Sequence, residues 1–436
     1  MVNVKQKYLK NGLKLIILPI AHSPLHWFSL RLRGGSDFED HSWANYKAKR
    51  GSFFLLSQMF FTSGSSLSKD ELNALQKKNA IDHTTVTSEA FFGFNLSYLK
   101  EKSDVAVKIL KAITTRGKFV KKEFDQEKEE ILFSLQREKE SGEKLSYRAF
   151  IQHFLKDSPY DQGLKGSIET VKKISQRDLL DIWKDYFSPK NAVAVLAGKV
   201  DKKDIEKIES VLLKTLPEKK SHPAKLDLLY REDFLNRFKK IKKRTIFETY
   251  GAGKQTFVKL GFATPSLKDH EIALARILQA FLTGMGGPLF HLRSQEYIKN
   301  GVNLGGRAYV IGARLISSFG FGGLIFYTSL REDALKEWQW AIDSFLEETK
   351  KLRNKGIDKE KLEEAKRSLI ASRYLRMGKM SYRAANYATY ESYGLGFRRW
   401  EEEIDKLKDI NQEDVLKFCQ KYLTEDNYIA HVFFPN

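Results

Sequence analysis

The chain has 436 residues, of which 42% are hydrophobic and only nine are prolines, and this composition excludes a disordered protein and predicts two or three folded domains. Lys and Arg outnumber Asp and Glu by 75 to 55, and the formal charge of +20 attracts anions such as nucleic acid, acidic peptides or an anionic membrane surface. A single cysteine, Cys419, excludes a framework of internal disulfides.

The first residues predict a strand rather than a targeting signal. Their apolar stretch over 13–20 is interrupted by Lys14 and lacks a small-residue cleavage site. No segment approaches the roughly 18 uninterrupted apolar residues of a membrane span. We therefore expect a cytoplasmic protein without a transmembrane segment, or a periplasmic one if a leader precedes this numbering.

Hydrophobic periodicity predicts the elements in chain order. In the first half we expect strands near 12–19, 27–34, 82–99 (a hairpin) and 191–198, and helices near 46–62, 69–79, 102–115, 122–140, 145–155, 176–187 and 201–214. In the second half we expect strands near 256–263, 303–314, 318–328 and 427–434, with long helices between 331 and 423. Strand runs mixed with helix runs, without strict βαβ alternation, favour an α+β fold with largely antiparallel sheets, each covered by helices on one face.

The two halves of the chain repeat each other. The stretch that begins at Val171 aligns without a gap with the stretch that begins at Leu407, an offset of 236 residues (407 − 171). Both copies predict an N-capped helix and then a strand that is entered at an asparagine, Asn191 or Asn427. We predict two homologous α/β roll domains over 1–216 and 245–436, joined by a charged linker over 217–244.

An apolar helix near Gly51 carries two adjacent polar residues, Ser57 and Gln58. Positions 54, 57 and 58 share one helix face, with the spacing at which two histidines and a glutamate form a zinc peptidase site. Here Phe54 has no donor atom, Ser57 is not a base near neutral pH, and Gln58 offers only a neutral amide. This helix therefore predicts neither zinc binding nor hydrolysis.

The surrounding residues resemble the pitrilysin, insulysin and mitochondrial processing peptidase family, the inverted zincins, whose motif is HxxEH. The matching elements span essentially the whole chain and include Gly51, Met59 and Phe61, NGLKLIILP from Asn11, LRLRGGS from Leu30, TSE from Thr87, Phe124 with Glu127 and Lys128, SPYDQGLKGSIETVKKIS from Ser158, and YFSPKNAVAVLAGKVD from Tyr186. The resemblance implies a third zinc ligand seven residues after Glu127, where this chain has Ser134, a poor ligand. It identifies the chain as a non-catalytic member, degenerate at Phe54, Ser57, Gln58 and Ser134, with no metal or other cofactor of its own.

The resemblance also implies what an inactive copy does. Family members form clamshells of four such domains around a chamber, and in two-chain members a zinc-less chain closes the chamber beside a zinc-bearing one. Zinc is then expected only in the partner subunit of a heterodimer that cleaves peptides. Arg293 and Tyr309 resemble the residues that reach the partner's active site, where Arg would orient a carboxylate and Tyr would donate to an oxyanion. The interval between them is longer than is usual in the family.

Two further segments are predicted to bind substrate. Gly284, Gly286 and Gly287 resemble the glycine-rich turn of the family and allow a tight entry into a helix. The polar strand that contains His83, Thr84 and Thr85 is expected at a sheet edge, where an extended peptide adds through backbone hydrogen bonds.

Three functions are open, in this order. The first is the zinc-less subunit of a heterodimeric peptidase, the second is an interaction homodimer that has left proteolysis, and the third is nucleic-acid binding driven by the net charge. Against the third, the sequence shows no recognition helix with a basic face, no RNA-binding aromatic signature and no zinc finger. We expect a peptide substrate and a homologous zinc-bearing partner.

Overall fold

The computed structural model describes residues 4–39, 48–156, 158, 160–161, 163–217, 245–295, 298–299, 302–303 and 306–436. The chain divides into two compact units, the first made of residues 1–135, 162–229 and 375–400, and the second of residues 136–161, 230–374 and 401–436. The compact units are therefore not contiguous in sequence, unlike the predicted domains 1–216 and 245–436, because each half of the chain supplies one helical segment to the other unit. The predicted linker lies outside the described residues from 218 onward.

The first unit contains a six-stranded sheet. Its strands are β1 (Lys5–Tyr8), β2 (Lys14–Pro19), β3 (Leu25–Arg33), β4 (Asp82–Thr87), β5 (Phe91–Leu99) and β6 (Ala192–Gly198). They lie in the order β1-β2-β6-β3-β5-β4, and β2 with β6 is the parallel pair among otherwise antiparallel neighbours. Strand β4 is at one edge of this sheet and pairs with β5.

The second unit contains a five-stranded sheet and a short two-stranded one. The strands are β7 (Thr245–Gly251), β8 (Phe257–Ala263), β9 (Ile298–Lys299), β10 (Val302–Asn303), β11 (Ala308–Ser317), β12 (Gly322–Leu330) and β13 (Ile429–Pro435). The larger sheet has the order β11-β12-β8-β13-β7, with β13 and β7 parallel. This order matches β4-β5-β3-β6-β2 of the first unit, so the predicted α+β fold with two largely antiparallel sheets is confirmed.

Helices surround both sheets. In chain order they are α1 (Ser52–Met59), α2 (Lys69–Asn79), α3 (Ser103–Thr114), α4 (Lys121–Glu138), α5 (Gly142–Phe154), α6 (Ile168–Lys172), α7 (Gln176–Tyr186), α8 (Lys202–Thr215), α9 (Ile272–Thr283), α10 (Pro288–Ser294), α11 (Trp338–Lys355), α12 (Lys359–Met377), α13 (Met380–Ser392), α14 (Arg399–Asp409) and α15 (Gln412–Tyr422). The expected helix over 46–62 is shorter than predicted at both ends of its described part, since Gly51 is the left-handed residue that precedes α1.

The first sheet is covered on both faces, so the expectation of one covered face was wrong. Strand β3 is buried from Phe28 to Leu32 without alternation. On one face Phe53 of α1 lies against Phe92, with ring centroids 5.1 Å apart. On the other face α13 approaches β3, and the Arg33 side chain donates to the Ser392 carbonyl at 2.9 Å. Helix α13 comes from the second half of the chain, which a half-by-half reading of the sequence cannot assign to this sheet.

The second sheet has the corresponding arrangement with α5, which comes from the first half of the chain. The Lys259 ammonium on β8 donates to the Ser146 hydroxyl on α5 at 2.6 Å. Gly261 has no side chain because a Cβ there would lie 2.6 Å from the Phe150 ring. Each sheet thus receives one helix from the other half of the sequence.

The duplication extends to individual side chains. Lys128 donates to the carbonyls of Lys172 and Ile174 at 2.7 and 2.8 Å. Lys366 donates to the carbonyls of Lys408 and Ile410 at 2.8 and 3.0 Å. In both units a lysine on a long helix satisfies two backbone carbonyls just before the next helix begins, and this gives Lys128 of the resemblance motif a structural role.

One stretch of the described chain, Ile272–Ser294, is apolar and long enough to cross a membrane by length and composition alone. It is interrupted at Gly284, where α9 ends, and Leu278 and Leu282 of α9 lie in the hydrophobic core of the second unit. We assign it to the core of that unit.

Candidate functional site

Helix α1 begins at Gly51 and is held there by a buried carboxylate. Gly51 has a φ of 91°, in the left-handed region that favours glycine, and it offers no side-chain cap. Glu39 takes this role: its oxygens accept from the Gly51 and Phe53 amides at 2.8 and 2.9 Å. Burial raises the pKa of Glu39 to about 7, against the opposing effect of the bonds from Phe53 and Gly51. Glu39 was not recognised from the sequence, because its partners are backbone groups.

The two polar residues of α1 face strand β4. The Ser57 hydroxyl donates to the Phe54 carbonyl at 2.7 Å and lies 2.7 Å from the Thr87 hydroxyl. The Gln58 amide donates to the Thr85 hydroxyl at 3.1 Å. Ser57 is fully buried, and its hydrogen bonds make this burial tolerable. Ser57 and Gln58, two of the positions predicted to be degenerate, therefore join the helix to the edge strand.

Strand β4 presents one row of backbone groups to the open edge of the sheet. Ser88 donates its amide to the Phe91 carbonyl at 2.8 Å, so position 88 faces β5. In an antiparallel pair the facing positions alternate, and residues 82, 84 and 86 therefore face β5 as well. His83, Thr85 and Thr87 direct their backbone groups away from β5. Within the part of the chain that the structure describes, these groups have no hydrogen-bond partner.

The same three residues are held by side-chain contacts on the face of α1 and α2. Thr85 and Thr87 contact α1, and the Nδ1 atom of His83 lies 2.6 Å from the Gln76 amide nitrogen on α2. The His83 ring also stacks on Phe61, with centroids 3.7 Å apart. Burial lowers the pKa of His83, with a smaller opposing effect of Asp82. The mostly polar sequence of β4, DHTTVT, signals an edge strand, but it does not reveal these contacts.

The opposite face of β4 is tied into the sheet by a polar network. The Asn95 amide donates to the Thr84 hydroxyl at 2.8 Å, and its oxygen accepts from Ser29 at 2.7 Å and from Arg31 at 2.9 Å. Arg31 is 2% exposed and also donates to the Phe94 carbonyl at 3.0 Å. Burial lowers the pKa of Arg31 to about 9. Strand β4 is thus held from both faces while one backbone edge stays open.

Ser134, at the predicted position of the third ligand, lies on α4. Its hydroxyl accepts from the Lys165 ammonium at 2.6 Å. A lysine ammonium is a cation with donors only, and it disfavours a metal cation beside it. Across the described residues, no group of three or more His, Cys, Asp or Glu side chains is placed to hold a metal ion.

The remaining candidate residues lie in the second unit. Gly284, Gly286 and Gly287 form the turn between α9 and α10, where Gly286 has a φ of 74° and a Cβ on Gly287 would lie 2.4 Å from the Phe281 carbonyl oxygen. Met285 at the tip of this turn is 97% exposed. The glycines therefore form a tight turn with one exposed apolar side chain.

Arg293 is exposed at the end of α10, and Tyr309 is exposed near the start of the edge strand β11. The guanidinium above the Tyr309 ring, 6.0 Å from its centroid, belongs to Arg331. Arg331 was not a predicted site residue, since it follows β12 and is adjacent to Tyr309 only through the antiparallel pairing of β11 with β12.

Family models match both halves of the chain. The model described as insulinase, peptidase family M16, matches residues 41–166, and the model described as peptidase M16 inactive domain matches residues 173–369. Among curated proteins, the non-peptidase homolog YmxG of Helicobacter pylori is 22% identical over 416 residues, which cover 95% of this chain and 89% of that protein.

Solved structures share the fold over the whole chain. A protease from Helicobacter pylori matches with a TM-score of 0.85 and 16% identity, covering 100% of both chains. A peptidase M16 inactive domain from Pseudomonas fluorescens matches with a TM-score of 0.81 and 17% identity, covering 100% of this chain and 98% of that one. The periplasmic protease PqqL from Escherichia coli matches with a TM-score of 0.75 and 14% identity, covering 99% of this chain but 48% of that one.

Proposed function

Because the chain belongs to the peptidase M16 family and is a non-peptidase member without any HxxEH sequence, we propose that it binds peptide as the zinc-less subunit of a heterodimer with a zinc-bearing homologue. The chain itself would need no cofactor, and zinc would be bound by the partner. The name of the curated relative, a non-peptidase homolog, supports the absence of catalysis by the chain itself.

The observation that carries the proposal is the contact between α1 and β4. Ser57 and Gln58 bond to Thr87 and Thr85, two of the residues whose backbone groups face the open edge. An open edge strand is normally a liability that proteins shorten, charge or cover. Here it is held in place from both faces while its backbone stays available, which is the arrangement that adding an extended peptide requires.

The length of one structural relative supports a two-chain assembly. This chain spans 48% of the periplasmic protease PqqL, so in that protein a stretch of similar length accompanies the part that resembles this chain. We propose that a separate chain supplies that second part here. In this assembly Arg293, Tyr309 and the turn of Gly284, Gly286 and Gly287 are the candidates for contact with the partner's substrate.

The test is co-purification with the HxxEH-bearing homologue from the same genome, followed by peptide hydrolysis. The proposal predicts a complex of one copy of each chain and faster hydrolysis on mixing than with the partner alone. A Thr85→Pro variant removes an outward-facing backbone donor from β4 and should lose most of this gain. The control variant is Thr245→Ala, at a threonine on strand β7 of the other unit. Thr115→Pro would not serve as a control, because the Thr115 amide donates to the Lys111 carbonyl.

Two results would contradict the proposal. A stable homodimer that does not bind the homologue would favour an interaction protein. Retention on DNA that depends steeply on salt, together with no peptide binding, would favour a nucleic-acid-binding protein.

A further inference from the structure

His83 is near the start of strand β4, the edge strand proposed to bind peptide, and its Nδ1 atom already has Gln76 as a hydrogen-bond partner. We propose that His83 is a specificity-determining residue, whose Nε2–H donates to an acidic side chain, Asp or Glu, of a peptide added to β4. This inference rests on the proposed function, because it requires that a peptide adds to this strand.

The ring of His83 is fixed in position and tautomer. The Gln76 amide nitrogen is 2.6 Å from Nδ1, and an amide NH₂ group can only donate, so Nδ1 accepts and the proton of the neutral ring is on Nε2. Gln76 is 7% exposed and Phe61, which stacks on the ring, is 6% exposed. Both supporting side chains are therefore set by the interior of the first unit.

The other ring nitrogen is available to a ligand. Nε2 of His83 has no hydrogen-bond partner within the residues that the structure describes, and the side chain lies on an exposed part of β4. In an added strand, the residue opposite His83 would place its Cβ about 4.5–5.5 Å from the Cβ of His83 on the same face. An Asp or Glu carboxylate at that position reaches Nε2.

The net charge of the chain and two exposed lysines of α2 attract acidic peptides, while Asp82 is the charged group that acts on His83 itself. Lys77 and Lys78 are exposed in the last turn of α2, directly after Gln76. Asp82 is the neighbouring acid, but successive strand residues point to opposite faces, so its side chain is on the other face of the sheet. The whole chain carries +20, which also steers acidic peptides toward it.

The experiment selects ligands without assuming a substrate. A displayed library of random ten-residue peptides is selected on the immobilised full-length chain, and retained peptides are compared with those retained by Thr85→Pro. A selected peptide is then synthesised with Glu, Gln or Ala at the enriched acidic position, and its Kd is measured for the wild type, for His83→Phe, and for His22→Phe, a control at an exposed loop histidine.

We expect Asp or Glu to be enriched at one register, and the Glu peptide to bind the wild type about three- to tenfold more tightly than the Ala peptide. His83→Phe should remove this ratio, so that the Glu and Ala peptides bind that variant with the same Kd, while His22→Phe should keep the ratio. Gln76→Leu, which releases the ring tautomer, should reduce the ratio as well.

Two failures are distinguishable. Peptides that depend on Thr85 but show no acidic register, or a Glu-to-Ala ratio that survives in His83→Phe, would overturn this inference and leave peptide binding at β4 in place. Retention of the same peptides by wild type and Thr85→Pro would overturn binding at β4 itself, and the role of His83 with it.

Discussion

The Gln58 side-chain amide on α1 donates to the Thr85 hydroxyl on β4 at 3.1 Å. The resemblance implies that position 58 corresponds to a histidine ligand of zinc in active members of the family. In this chain the same helix face holds an edge strand in place, and the neighbouring Ser57 makes the equivalent contact with Thr87. The helix face that the resemblance matches to metal ligands is here a structural support for β4.

Removing the Gln58 amide should loosen β4. In Gln58→Met the Thr85 hydroxyl loses its partner, so we expect a loss of about 1 kcal/mol in the free energy of unfolding. The amides of Thr84 and Val86, which face β5, should exchange with deuterium faster than in the wild type. Gln126→Met, at an exposed position of α4, is the matched control, and equal exchange of β4 in both variants would contradict the support role.

The two equivalent lysines should be important in both units. Lys128→Met and Lys366→Met each leave two backbone carbonyls without a donor, which should cost about 1–3 kcal/mol of unfolding free energy. The larger cost is expected for Lys366, which is 6% exposed and also pairs with Glu363 at 2.9 Å. Thermal and urea unfolding measure both. The control is Lys122→Met, at an exposed lysine of α4. If neither variant differs from it in unfolding free energy, the duplicated contact does not stabilise the fold.

Glu39 should make stability depend on pH in a defined window. Its pKa is about 7 in the folded chain against an ordinary value of 4.5, so folding favours the protonated carboxyl. Its contribution to stability is therefore fully present below pH 4.5 and is lost as the pH rises through 7. The difference in unfolding free energy between wild type and Glu39→Gln should change by up to about 3 kcal/mol across this window. An identical pH dependence in wild type, Glu39→Gln and the exposed control Glu129→Gln would contradict this assignment.

Lys259 should have the opposite dependence. Burial lowers its pKa from the ordinary 10.5 to about 8, with Ser146 as its hydrogen-bond partner and Glu143 as the nearby acid. The unfolded chain holds this proton more tightly, so the stability of the wild type should rise as the pH increases from 8 to 10.5. Lys259→Met should flatten this rise and be more stable at pH 7 by about 1–2 kcal/mol, after the loss of the Ser146 bond is counted. A Lys259→Met variant that is less stable at pH 7 would show that the amine is well solvated.

Local patterns in the sequence were sufficient for most elements. Helix α2 lies where periodicity predicts it, and the strands β2, β3, β6 and β8 agree within two residues at each end, because capping boxes and apolar runs mark them. Strand β1 was not predicted, since KQKY is exposed and has no apolar face. Strand β7 was also missed; it begins at Thr245, directly after the predicted linker.

The contacts of the candidate site were harder to predict from the sequence than the helices and strands. The resemblance predicts that Phe54, Ser57, Gln58 and Ser134 replace the zinc-site residues of the family, because their side chains are unsuited to that chemistry. The sequence did not predict that Ser57 and Gln58 contact β4, or that Lys165 donates to the Ser134 hydroxyl. These contacts join segments about 30 residues apart in the chain. The exchange of α5 and α13 between the halves was hidden for the same reason, because helical periodicity reports an apolar face and not the sheet that it covers.

The absence of zinc binding and catalysis is tested most simply by measuring the metal content and peptide hydrolysis of the purified chain by itself. After dialysis against zinc and removal of free metal, we expect far less than one zinc per chain by mass spectrometry, and no cleavage of a random peptide pool above the buffer control. Stoichiometric zinc with turnover that chelation abolishes would contradict it, and would mean that the chain holds a metal site other than the face formed by Phe54, Ser57 and Gln58.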